Sequence, residues 1–144
     1  MVKRFLIGMA VFLFFLLVPY QLTRKPDTDI LFYIDMPATY EEVPTPFILS
    51  GWALDRVAEE GVGIDEIQVY EGEECSGVLL GEGSPAIARP DVIDSYDLDD
   101  RYMNSGFEVI VTPPAPGLMT ITTCIRSTYT EMFQAVDTRI VIVD

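Results

Sequence analysis

The residues best suited to chemistry are a set of carboxylates, an arginine held next to one of them, a lone tryptophan and two cysteines. In Arg89-Pro90-Asp91 the proline fixes the backbone between a guanidinium and a carboxylate, so the two side chains leave the chain at a set angle. Arg89, Asp91 and Asp55 are the charged residues expected to be partly buried. A bidentate arginine–carboxylate bond would clamp this loop onto the strand end that carries Asp55. The same three residues, with Trp52, are also candidate ligand contacts. Trp52 stands beside Gly51, where the missing Cβ lets a large ring lie over the neighbouring backbone. It reads either as a core aromatic or as a stacking platform for a sugar or an aromatic side chain. Asp97, Asp99 and Asp100 close the densest acidic stretch. Loop carboxylates of this kind suit Ca²⁺, which takes six to eight oxygens. Their spacing departs from the EF-hand, and a solvated acidic loop is the plainer reading.

Absences narrow the chemistry. The chain has no histidine, so a Ser-His-Asp or Cys-His hydrolase and an imidazole-bound zinc are excluded. Twenty-three acids make some close carboxylate pair inevitable, and such a pair alone does not indicate a glycosidase. Gly81-Glu82-Gly83 lacks the remainder of either nucleotide-binding fingerprint. No catalytic residue is assigned, and the expectation is a protein that is not an enzyme and needs no cofactor unless Ca²⁺ is bound. Cys75 and Cys124 are the only cysteines. They are read as a disulfide or as two free thiols, because two cannot make a Cys₄ metal site and their spacing is not C-x-x-C.

Charge and greasiness are unevenly placed along the 144 residues. Residues 1–25 hold four bases and no acid, a charge of +4. Residues 26–144 hold five arginines against all 23 acids, a charge of −18. Phosphate repels so acidic a domain, which points away from nucleic acid as a partner. Phe5 to Val18 is apolar throughout, and Pro19 to Leu22 extends the run to Arg24-Lys25. As a helix, Phe5 to Leu22 would reach ~27 Å, close to the thickness of a bilayer's hydrocarbon core. Tyr20 would then sit at the interface. The run reads as an uncleaved signal anchor over residues 1–25. The alternative is a cleaved signal peptide, but no A-x-A-like pair of small residues follows the run. Two bases flank each side, so charge leaves orientation balanced. The four-residue tail, the acidic bulk and both cysteines place the N-terminus inside and the domain on the extracytoplasmic side.

These residues must be positioned by strands. Lys25 to Asp29 is a polar linker, and from Ile30 the apolar pattern has period 2. Phe47–Leu54, Ile67–Tyr70, Val78–Leu80, Phe107–Thr112 and Leu118–Arg126 alternate between glycine- and proline-rich turns, and the chain closes on Ile140–Val143. About seven short strands predict an all-β antiparallel sandwich. One short helical turn is expected after Pro90, within Ala86–Asp97. Arg139–Asp144 is expected as a last strand open to pairing with another chain.

Several fragments in order resemble a known module: Phe47 to Asp55 (FILSGWALD), Gly63 to Tyr70 (GIDEIQVY), Leu80-Gly81, Arg89 to Val92 (RPDV), Tyr96, and Ser105-Gly106-Phe107. The set is similar to a bacterial extracellular Ig-like β-sandwich module with a GWA-D strand, a GID-V-VY strand, an RPDV turn and a GF strand. The resemblance spans roughly residues 46–126. It implies an Ig-like fold and an extracytoplasmic setting, often as an accessory to cell-wall or polysaccharide-active proteins, and it implies no catalytic residue. The expected organisation is an anchor over 1–25, a linker and first strand over 26–45, and an Ig-like domain over 46–144. The expected role is binding or structural support at the cell envelope, with a protein or glycan partner. A Ca²⁺-dependent adhesion or glycan-binding module is the alternative, and a small carboxylate hydrolase is a remote third.

Overall fold

The computed structural model describes residues 27–144. The apolar run Phe5–Leu22 and the expected anchor lie outside the described residues. Among the described residues no helix is long and apolar enough to cross a membrane.

Among the described residues eight strands, rather than about seven, form two sheets. They are β1 (Ile30–Met36), β2 (Glu42–Val43), β3 (Phe47–Asp55), β4 (Ile64–Glu71), β5 (Leu79–Gly83), β6 (Gly106–Val111), β7 (Gly117–Ser127) and β8 (Phe133–Val143). One sheet has the order β1-β3-β6; the other has β2-β8-β7-β4-β5. Every pairing is antiparallel except the two-residue β2, which runs parallel to the end of β8. The sheets enclose a core that includes Phe47, Leu49, Ile67, Val69, Phe107, Val109, Ile121, Ile125 and Val141. These residues fall on alternate positions of their strands, as period 2 requires.

β3 departs from simple alternation, because both of its faces are buried from Gly51 to Asp55. Its outer face is roofed by α1 (Pro90–Tyr96) and by a short 3-10 turn (Asp100–Tyr102). Trp52, Leu54, Val92, Ile93 and Tyr102 form a second core beneath that roof. The helical turn expected after Pro90 is therefore present, and Pro90 occupies its first turn, where a missing N–H costs nothing.

The last strand is longer than Ile140–Val143. It begins at Phe133, and a register shift opposite Thr123 and Cys124 leaves Val136 as an extra residue on β8. That bulge breaks the alternation on which a sequence reading depends. The end of β8 is also no free edge, since Glu42 and Val43 pair with Ile142 and Val143.

Candidate functional site

Cys75 and Cys124 are joined, with Cα atoms 5.9 Å apart. Cys124 lies on the outer face of β7, and Cys75 lies in the turn between β4 and β5. That turn folds back over the sheet: the Thr122 hydroxyl donates to the Gly72 carbonyl at 2.6 Å and contacts the Thr138 hydroxyl at 2.9 Å. The free-thiol reading is thereby set aside.

Arg89 does not reach Asp55. Its guanidinium bonds Asp91 through two parallel contacts, Nε to Oδ1 at 2.9 Å and Nη2 to Oδ2 at 2.8 Å. A third bond runs from Nη1 to Asp35 Oδ2 at 2.7 Å. Three elements place these groups. Pro90 starts α1 between Arg89 and Asp91. Asp35 is the extra residue of a bulge in β1, between Ile34, which pairs with Gly51, and Met36, which pairs with Ser50. The bulge aims its carboxylate across at Arg89. The segment before α1 is pinned to the start of β6, where Ile87 and Gly106 exchange backbone bonds and the Arg89 N–H donates to the Met103 carbonyl at 2.7 Å. Gly106 is needed for this approach, since a Cβ there would stand 2.8 Å from the Ile87 carbonyl oxygen and 2.9 Å from Arg89 Cγ.

The cluster is electrostatically settled. The Asp91 hydrogen bond comes first among the causes that hold the Arg89 guanidinium above its ordinary pKa, with Asp35 adding to it. The Arg89 hydrogen bond and charge hold the Asp91 carboxyl below the usual aspartate value.

Around the cluster lies an open cleft of about 500 Å³, lined by Tyr33, Asp35, Trp52, Arg89, Asp91, Val92, Ser95 and Tyr96. Trp52 itself is only 4% exposed, so it is a core aromatic and not a platform. Its ring meets Tyr96 at a centroid distance of 5.3 Å, tilted by 60°. It pairs across the strands with Tyr33, and Gly51 alongside lets the Tyr33 carbonyl come close. The accessible rings are therefore Tyr33, 61% exposed, and Tyr96, 52% exposed. Of the four candidate ligand contacts, Trp52, Arg89 and Asp91 share this cleft, and Asp55 does not.

Asp55 is fully buried at one end of the sandwich. Its carboxylate accepts from the Ser127 hydroxyl at 2.6 Å, the Asp29 N–H at 3.0 Å and the Val57 N–H at 3.1 Å. It ties the start of β1, the turn after β3 and the end of β7 into one node. The sequence reading misses Tyr33, Asp35 and Ser95, and it assigns no role to Tyr96. The one available signal is Asp35, a charge breaking the apolar run of β1.

The Ca²⁺ expectation is not supported. Among the described residues, no three acidic or cysteine side chains gather into a group that could hold a metal. Asp97 ends α1 in a left-handed conformation, with φ of 51°. Asp99 caps the 3-10 turn by accepting the Arg101 N–H at 2.9 Å. Local backbone capping accounts for Asp97 and Asp99, while Asp100 is the first residue of the 3-10 turn.

No family model and no curated protein matches the chain. Solved structures with a similar backbone include T. fusca AA10A, at TM-score 0.43 and 11% identity, covering 75% of this chain and 53% of that one. LPMO10B from Micromonospora aurantiaca gives 0.43 and 12%, covering 72% and 53%. CopC from Methylosinus trichosporium OB3b gives 0.40 and 13%, covering 82% and 94%. The chain thus spans about half the length of the first two. With AA10A and LPMO10B among these structures, the expectation that the chain is not an enzyme is withdrawn. At this distance they carry neither a reaction nor a ligand over to this chain.

Proposed function

We propose that the chain is an extracytoplasmic Ig-like binding module, held at the membrane by Phe5–Leu22, which engages a cell-envelope partner through the Tyr33–Tyr96 cleft. One observation carries the reading. A bulge residue, a pre-helix arginine and a helix residue converge from distant parts of the chain to line a cleft flanked by two exposed tyrosines. A clamp alone would need the ion trio; it would not need the exposed rings.

Other features agree. The order β1-β3-β6 against β2-β8-β7-β4-β5, with a parallel β2–β8 edge, suits the Ig-like module suggested by the sequence fragments. A disulfide suits an oxidising compartment. The acidity of the domain keeps it soluble and away from anionic polymers.

Two experiments test the proposal. Protease added to intact cells is expected to digest the domain, and full protection until the membrane is permeabilised would overturn the placement. Cell envelopes stripped of membrane by detergent are expected to retain the full-length protein in detergent, with retention falling about tenfold in Tyr33→Ala and Tyr96→Ala at unchanged thermal midpoint. Retention that ignores both substitutions removes the cleft as the binding site.

A further inference from the structure

We infer that the cleft takes an uncharged pyranose ring of an envelope polysaccharide. This rests on the reading that the cleft is the binding site, and it names the class of ligand.

The charge at the cleft selects the class. One guanidinium sits between two carboxylates, Asp35 and Asp91, so the trio carries one net negative charge. The surrounding domain adds to it, with −18 over residues 26–144. A phosphate- or uronate-bearing polymer is repelled on approach. A cationic ligand meets the opposite obstacle, because Arg89 occupies the centre of the carboxylate pair and both Asp91 oxygens already accept from it.

The polar groups that remain suit hydroxyls. The three bonds from Arg89 use three of the five N–H donors of a guanidinium. Asp35 binds Arg89 through Oδ2, and both Asp35 and Ser95 line the cleft. Donors and acceptors therefore line one cleft, which suits hydroxyl groups that both donate and accept. Tyr33 and Tyr96 offer the apolar faces on which the C–H side of a sugar ring packs, each with a phenol oxygen at its rim. The Trp52 contact holds the Tyr96 ring, so that side chain has less freedom to lose on binding.

Trp52 is the sole tryptophan of the chain and touches Tyr96, so its emission reports on the cleft. The test uses full-length protein in phosphatidylcholine vesicles, titrated with cellopentaose, maltopentaose and chitopentaose, with polygalacturonate as the anionic probe. At least one neutral pentasaccharide is expected to shift the Trp52 emission saturably. Tyr33→Ala and Tyr96→Ala should each raise the half-saturation point about tenfold, whereas Tyr33→Phe, which keeps the ring, should change it by less than about threefold. Polygalacturonate should be silent. Stronger binding of polygalacturonate overturns the charge argument and with it the inference. If no neutral sugar binds while envelope retention still depends on Tyr33 and Tyr96, the sugar class is overturned and the binding site stands. If retention is also indifferent to the tyrosines, the reading beneath the inference falls.

Discussion

Asp55 shows what one buried carboxylate does when three donors are aimed at it. Three segments meet on its two oxygens. Replacing it by alanine removes three hydrogen bonds to a charged group and strands the donors of Asp29 and Ser127. Asp55→Ala is expected to cost about 3 kcal/mol, read from a denaturant midpoint; a loss below about 0.5 kcal/mol would contradict the node. Asp91 behaves differently, being open to water and tied to Arg89. Its carboxyl is held below the unfolded value, so the clamp's contribution is complete above about pH 4 and is lost as pH falls through the lowered folded pKa. NMR titration of Asp91 is expected to give a midpoint below that of a free aspartate, and Arg89→Met should raise it. Asp55 and Arg89 are legible as partly buried charges from their sequence neighbours. Their partners are not, because pairing depends on which strands come together: Arg89 finds Asp35, 54 positions away, and the charge that interrupts β1 does not say which base it meets.

At the level of elements, the alternating runs identify β3, β4, β6 and β7 directly. β8 is half hidden, since its bulge at Val136 interrupts the alternation, and β2 is hidden altogether between Glu41 and a proline-rich stretch. α1 is legible only as a turn. Its role as a roof over Trp52 and Leu54 follows from the fact that β3 is apolar on both faces, a pattern that demands cover on the outer side. The disulfide has its effect at this scale too. It joins positions 49 apart and fixes the β4–β5 turn onto β7. Reduction, or Cys75→Ser with Cys124→Ser, is expected to lower the unfolding free energy by about 4 kcal/mol through regained chain entropy. The same change should expose the amides of the 72–78 turn to hydrogen exchange while leaving those of β3 protected. Equal protection before and after reduction would show that the hydrogen bonds of Gly72 to Thr120 and Thr122 hold the turn without the disulfide.

For the whole molecule, the register fixes where the ends of the described chain lie. Ile30 pairs with Asp55 at one end of β3, and Val143 pairs with Val43, four residues before Phe47 at the other end. β3 has nine residues, so the two points are separated by ~30 Å along the strands. Suppose the molecule is held near Ile30 and pulled from its far end near Val143. The force then runs along β1 against β3 and along β8 against β7 and β2, parallel to the strands. Ladder bonds loaded lengthwise must slip together and cannot open one after another, so such a module would bear tension as a strut rather than unzip. Its disulfide would keep the β4–β5 turn attached to β7 even after the flanking strands gave way.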